Sequence, residues 1–325
     1  MTNRAVFSCF ITLLIILPIF GRNIQQKNVN DYDRIVEHNV KQILPADMDT
    51  KAYNDMVRRF WTPERMASAK PLNFFKTRSE FEAEHRAPMT VNSERTSPQI
   101  NIPGVPAKSL KASPSVVGKI FGQIGSSTYV CSGSVIVSEN GDTVLTAGHC
   151  VYDTDTNTWS SNLIFVPGYD SGSTPYEVWV WKTAAVLRAW TQAADFNYDV
   201  AVVLLATSDK EEHIQDITGS LGMTVNKPKQ AQTVSYGYPV NIHKGEILAS
   251  CSDLATAAAI PQLPSYNGLR LPCNMTGGSS GGPWTQDDSI QTSVNSFGIV
   301  GEVDVMYGPY FDDNVLYLWE QYEKQ

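Results

Sequence analysis

Cys273-Asn274-Met275-Thr276-Gly277-Gly278-Ser279-Ser280-Gly281-Gly282-Pro283 sets two adjacent serines in a run of glycines. A serine hydroxyl is a poor nucleophile until a base takes its proton and nearby donors stabilise the developing oxyanion. Glycines let a chain turn tightly and bring backbone N–H groups toward such an oxygen. Of the two serines, Ser280 has glycine at +1 and proline at +3, which makes it the candidate nucleophile. The segment also satisfies the G-x-S-x-G pattern of the α/β-hydrolase elbow, but that fold places its histidine after the serine. The last histidine here is His243, so that reading fails.

Working outward, two upstream stretches supply partners. Thr146-Ala147-Gly148-His149-Cys150 follows the apolar pair Val144-Leu145, and Tyr198-Asp199 opens the apolar run Val200–Leu205. Histidine changes charge near neutral pH, which suits His149 to act as general base. Asp195 is the competing carboxylate, but Asn197 and Tyr198 separate it from the apolar run. The chain order is therefore His149, Asp199, Ser280, with separations of 50 and 81 residues.

These three motifs, in this order, resemble the chymotrypsin-fold (trypsin-like) serine peptidases. They are similar in particular to the glutamyl-endopeptidase-like (V8-like) branch, over residues 113–325. The resemblance implies a serine endopeptidase with His149 as base, Asp199 as its orienting carboxylate and Ser280 as nucleophile. It also implies an oxyanion hole from the N–H groups of Gly278 and Ser280. Ser296-Phe297-Gly298 would be the strand whose backbone pairs with the substrate chain, and Asn274 would stand at the base of the substrate pocket. A neutral Asn274 offers no counter-ion for a basic side chain, and Asn295 stands where glutamyl-specific relatives carry a histidine. Asn274-Met275-Thr276 is also a glycosylation sequon, which a pocket-floor position would disfavour. The alternative from another class is a catalytically inactive secreted binding protein on the same fold.

Frequent short β-rich segments with Gly/Pro punctuation predict an all-β domain. They include Lys119–Ile124, Val130–Val137, Thr143–Thr146, Leu163–Val166, Glu177–Trp181, Val200–Leu205, Thr233–Tyr238 and Ser296–Val300. The resemblance refines this to two six-stranded antiparallel β-barrels with the site between them, followed by a C-terminal helix over Asn314–Gln325.

The N-terminus, basic at Arg4 and then apolar from Ala5 to Phe20, reads as a secretory signal peptide over residues 1–21. Removing it takes Cys9 away and leaves Cys131, Cys150, Cys251 and Cys273, an even number that points to two disulfides in an exported protein. Four cysteines permit three pairings; the family resemblance implies Cys131–Cys150, leaving Cys251–Cys273.

Residues 22–112 differ in character from residues 113–325 and read as a partly helical pro-segment and linker. Asp31–Leu44 and Tyr53–Met66 have helix-compatible apolar spacing, and Ala87–Pro114 is rich in Pro, Ser, Asn and Thr. Residues 22–112 carry a net charge of +4 and residues 113–325 a net charge of −13, opposite signs that favour docking of one on the other. The acidic catalytic region argues against nucleic-acid binding, which needs a basic surface. The expected partners are polypeptide substrates and the protein's own pro-segment, with no membrane association after signal cleavage and a monomeric state. No ligand cluster suggests a metal or other cofactor. Ser279, immediately before the nucleophile, has no charge to receive a new N-terminal amine, so a trypsin-type activation switch is not expected; Ser115-Val116-Val117-Gly118 only loosely echoes its N-terminal motif.

Overall fold

The computed structural model describes residues 34–72, 75–76, 97–106, 116–287 and 289–325, and the signal peptide expected at 1–21 lies outside them. Residues from Asp33 to the C-terminus form one compact unit.

The stretch from Val117 to Leu205 closes on itself. Val117–Ile124, Ser127–Val135, Thr143–Thr146, Ser161–Pro167, Trp179–Leu187 and Ala201–Leu205 are neighbours around a six-stranded barrel. Closure comes from Trp179–Leu187, which pairs with Ser161–Pro167 near its start and with Ala201–Leu205 along most of its length. All strand pairs in the barrel are antiparallel. β-Branched residues favour this pleated geometry. Ala201–Leu205 is buried along its whole length, as a continuous apolar run with both faces covered must be.

The second half is an eight-stranded path. Its order is Val305–Gly308, Leu269–Pro272, Ala249–Ala257, Ala231–Gly237, Pro283–Gln286, Ile290–Val294, Gly222–Val225 and Ile100–Ile102. A bridge between Phe297, just beyond Ile290–Val294, and Tyr307, in the first strand of that order, rolls the sheet toward a second barrel. Leu269, Leu271, Cys273, Met275, Trp284 and Met306 fill its interior. The helix Asp313–Tyr322 starts where Asp312 accepts from the N–H groups of Asn314 and Val315. Through Trp319, whose indole donates to the Val137 carbonyl at 2.8 Å, it lies back against the first half.

The described residues of the N-terminal segment belong to the same compact unit as the rest. Ile35–Asn39 pairs antiparallel with Thr183–Leu187 in the slot that opens where Ser161–Pro167 ends. This corrects the helix expected over Asp31–Leu44. Within the described part only Val40–Ile43 is helical, and the β-branched Ile35-Val36 pair lines the open barrel edge. Tyr53–Met66 is helical as expected, in two pieces: Thr50–Phe60, and Pro63–Ser68 with Thr62 as N-cap and Pro63 at the first position. Lys70–Pro71 runs parallel to Tyr129–Val130, and Phe75–Lys76 runs parallel to Gly298–Ile299. Within the stretch expected as a linker, Ile100–Ile102 is instead the last strand of the second sheet, antiparallel to Met223–Val225.

Candidate active site

His149 sits in a single turn of tight helix, Gly148–Cys150, directly after the strand Thr143–Thr146. The Cys131–Cys150 disulfide, with Cα atoms 6.2 Å apart, ties this turn to the neighbouring strand. Gly148 is required by crowding: a Cβ there would come within 3.0 Å of the Trp190 ring and 3.1 Å of the Asp199 carboxylate.

Asp199 comes directly after the turn Phe196–Tyr198 and is fully buried. One carboxylate oxygen accepts the His149 backbone N–H at 2.8 Å, and the other meets His149 Nδ1 at 2.8 Å. Ser296 donates its hydroxyl to that second oxygen. Burial pushes the Asp199 carboxyl up. The neighbouring His149 charge and the hydrogen bonds from His149 and Ser296 outweigh burial and hold it below the ordinary carboxylate range. An ionised carboxylate only accepts, so Nδ1 carries a proton, and in the neutral imidazole Nε2 keeps its lone pair. Asp195 goes elsewhere: it caps the turn by accepting from the Asn197 backbone at 3.0 Å and side chain at 2.9 Å.

The two serines of the glycine-rich segment part company. Ser279 donates its hydroxyl to the Thr276 carbonyl at 2.7 Å, a local turn bond. Ser280 Oγ is buried and has no hydrogen-bond partner among the described residues, and the same holds for His149 Nε2. A buried polar atom left unpaired is costly unless something is meant to meet it. The backbone N–H groups of Gly278 and Ser280 likewise donate to no group among the described residues. Gly278 and Gly281 have φ of +94° and +80°, conformations that favour glycine. A Cβ on Gly281 would lie 2.0 Å from Thr146 Oγ1, so the nucleophile turn and the histidine strand can touch only with glycine there.

Two residues outside the expected catalytic and binding set hold this turn. Ser132, from the first barrel, donates its N–H to the Ser280 carbonyl at 2.7 Å and its hydroxyl to the Gly278 carbonyl at 2.8 Å. Its oxygen also accepts the Tyr238 N–H. Asn295, fully buried, donates to the carbonyls of Ser279 and Tyr236 and accepts from Ser235 and Trp284. Its carboxamide is thus spent on the turn and does not face a substrate pocket. The sequence signals were present, in the serine beside Cys131 and the residue before Ser296, but only the fold shows what they grip.

Of the other expected residues, Asn274 is exposed, with its carbonyl accepting from Asn241 Nδ2 at 2.8 Å. The enclosed pocket floor expected for it is not formed by its side chain, so burial does not disfavour a glycan at this sequon. Phe297 stacks on Tyr307 with ring planes 12° apart, and Gly298 begins the short strand that pairs with Phe75. Cys251 and Cys273 are bonded with Cα atoms 5.6 Å apart, bracing the chain just ahead of the nucleophile segment. Among the described residues the only group of three potential metal ligands is Cys131, His149 and Cys150, and both sulfurs are committed to the disulfide.

Known proteins are similar to this chain. The family model described as Trypsin matches residues 111–311. The structure of the protease Anisep from Arthrobacter nicotinovorans is 35% identical, with a TM-score of 0.60 over 68% of this chain and 98% of that one. A thermostable serine protease, AL20, from an extremophilic microorganism is 32% identical, with a TM-score of 0.60 over 65% and 98% of the two chains. A Glu endopeptidase shares the fold at 17% identity, with a TM-score of 0.53 over 66% and 93% of the two chains. A Bacillus subtilis (strain 168) protein named extracellular metalloprotease is 39% identical over 80 residues, a match spanning about a quarter of each chain.

Proposed function

The chain belongs to the trypsin family of serine endopeptidases, and from that premise we propose that it is a secreted endopeptidase working through His149, Asp199 and Ser280. The observation that carries this reading is the pair of buried, unpartnered atoms His149 Nε2 and Ser280 Oγ beside a histidine already oriented by Asp199.

His149 Nε2 takes the Ser280 proton as Oγ attacks the substrate carbonyl carbon. Asp199 fixes the tautomer that leaves Nε2 basic and stabilises the imidazolium that forms. The developing oxyanion is met by the free N–H groups of Gly278 and Ser280. Collapse breaks the peptide bond, the leaving amine takes the proton from His149, and water then hydrolyses the acyl-enzyme by the same steps. Ser296 assists by holding the outer oxygen of Asp199.

Export is supported by the signal-like residues 1–21, by two disulfides suited to an oxidising compartment, and by the printed name of the partly matching Bacillus protein. Among the described residues no helix is long and apolar enough to cross a membrane.

The test is turnover of unfolded casein by the processed protein. Ser280→Ala abolishes it, Asp199→Asn lowers kcat by about 10⁴ through the wrong tautomer, and Ser279→Ala leaves it near wild type. Full turnover by Ser280→Ala would refute the assignment.

A further inference from the structure

The edge of the strand at Gly298–Ile299 is not open. Phe75 lies in register with Gly298 and Lys76 with Ile299, and the Val300 N–H donates to the Lys76 carbonyl at 3.1 Å. Lys76 Nζ also reaches over the Phe196 ring, 5.7 Å from its centroid. A piece of the N-terminal segment therefore lies along the strand leading away from the nucleophile.

The sense of that pairing matters. The strand begins at the catalytic centre, because Gly281 N–H donates to the Asn295 carbonyl at 2.8 Å and Ser296 bonds Asp199. It then runs away through Gly298 to Val300. A substrate's leaving amine must collect its proton from His149, on the first barrel, so the leaving side exits that way. The acyl side is left to lie along 296–300 on the second half, with its carbonyl end at Ser280. Such a chain runs from Val300 toward Ser296, antiparallel to the strand. Phe75–Lys76 runs parallel to it.

We infer that Phe75–Lys76 is an intramolecular block, seated on the substrate-binding edge in the direction opposite to a substrate. Because it runs in reverse, no Phe75 or Lys76 carbonyl is offered to Ser280 in the cleavable sense, and the block survives contact with an assembled active site. The inference rests on the serine-peptidase reading above and adds how that site is kept closed to polypeptides. A block at this strand excludes extended chains, while a small reagent needing only Ser280, His149 and the oxyanion donors still reacts.

The test compares the full chain with Lys76→Pro, which removes an N–H from the parallel ladder. Each is assayed by a small fluorophosphonate probe and by unfolded casein. The expected result is equal labelling of the two, with kcat/KM for casein raised about tenfold or more by Lys76→Pro, as for removal of a tethered competitor. Deletion of Phe75 and Lys76 together removes the same contact and serves if Lys76→Pro folds poorly. Equal casein turnover in labelled wild type and variants would overturn the block. A Ser280-dependent cut at the Phe75 or Lys76 bonds, read by mass spectrometry, would overturn the reversed sense. Failure of every protein to label would instead remove the triad, and the proposal with it.

Discussion

Residues 35–68 and residues 75–76 belong to one N-terminal segment but meet the catalytic region in opposite ways. The first stretch buries Val40, Tyr53, Val57, Trp61 and Met66 in the main core. The Trp61 indole donates to the Asn162 carbonyl, and the Tyr53 hydroxyl accepts from the Trp181 indole at 3.1 Å. Burying five such side chains contributes on the order of 10 kcal/mol before conformational entropy is subtracted. The second stretch is a two-residue ladder with Phe75 exposed at 37%. The first stretch is therefore built into the core, while the second makes only a short edge contact. The contrast also shows what drives docking. The charge split of the sequence predicts attraction, and Arg58 does reach Asp209 at 3.1 Å. Yet Asp209 is 67% exposed, and such pairs contribute about 0–1 kcal/mol, so apolar burial decides.

The strongest way to break this contrast is to empty the anchor. Trp61→Ala should cost about 3–5 kcal/mol, since its ring packs on Phe121 within the core. Denaturant unfolding in a Ser280→Ala background measures it, and an unchanged midpoint would mean the anchor is not part of the fold. Phe75→Ala is the matched control, expected within about 0.5 kcal/mol of the parent in the same assay. A physical separation sharpens the same point. After cleavage of the chain on the C-terminal side of Lys76, a fragment holding residues 35–68 should co-elute with the body until denaturant is added. Its free release in native buffer would contradict the anchor.

The smallest effect concerns His38, which stacks between Trp159 and Trp181, with ring centroids 5.5 and 5.4 Å away. Burial lowers its proton affinity in the folded state. The unfolded chain therefore binds more protons below the ordinary histidine value of about 6.5, and stability falls as pH drops through that range. The slope should flatten in His38→Gln, as read from unfolding midpoints across pH.

The parts of this molecule most legible in sequence are those where chemistry demands particular neighbours. Gly148 and Gly281 are written plainly because crowding leaves few choices there, and the proposed roles of His149, Asp199 and Ser280 would fix the residues around them. The strands of the first barrel are similarly plain, being mostly apolar and mostly buried. Ala249–Ala257 was not legible: alanine and serine carry little strand preference, and the segment is a strand because it pairs with Ala231–Gly237 along seven positions. The Ile35–Asn39 strand owes its form to an open barrel edge, and the placement of Phe75–Lys76 depends on another strand 223 residues away; neither is a local property. Ser132 and Asn295 were hidden for the same reason, since their grip on the nucleophile turn is made across the fold.

The most direct measurement is fluorophosphonate labelling of the disulfide-bonded protein beside Ser280→Ala and Ser279→Ala. The account predicts that labelling persists in Ser279→Ala, whose hydroxyl only closes a turn onto Thr276, and vanishes in Ser280→Ala. Loss in Ser279→Ala alone, or no labelling of the folded parent, would contradict it.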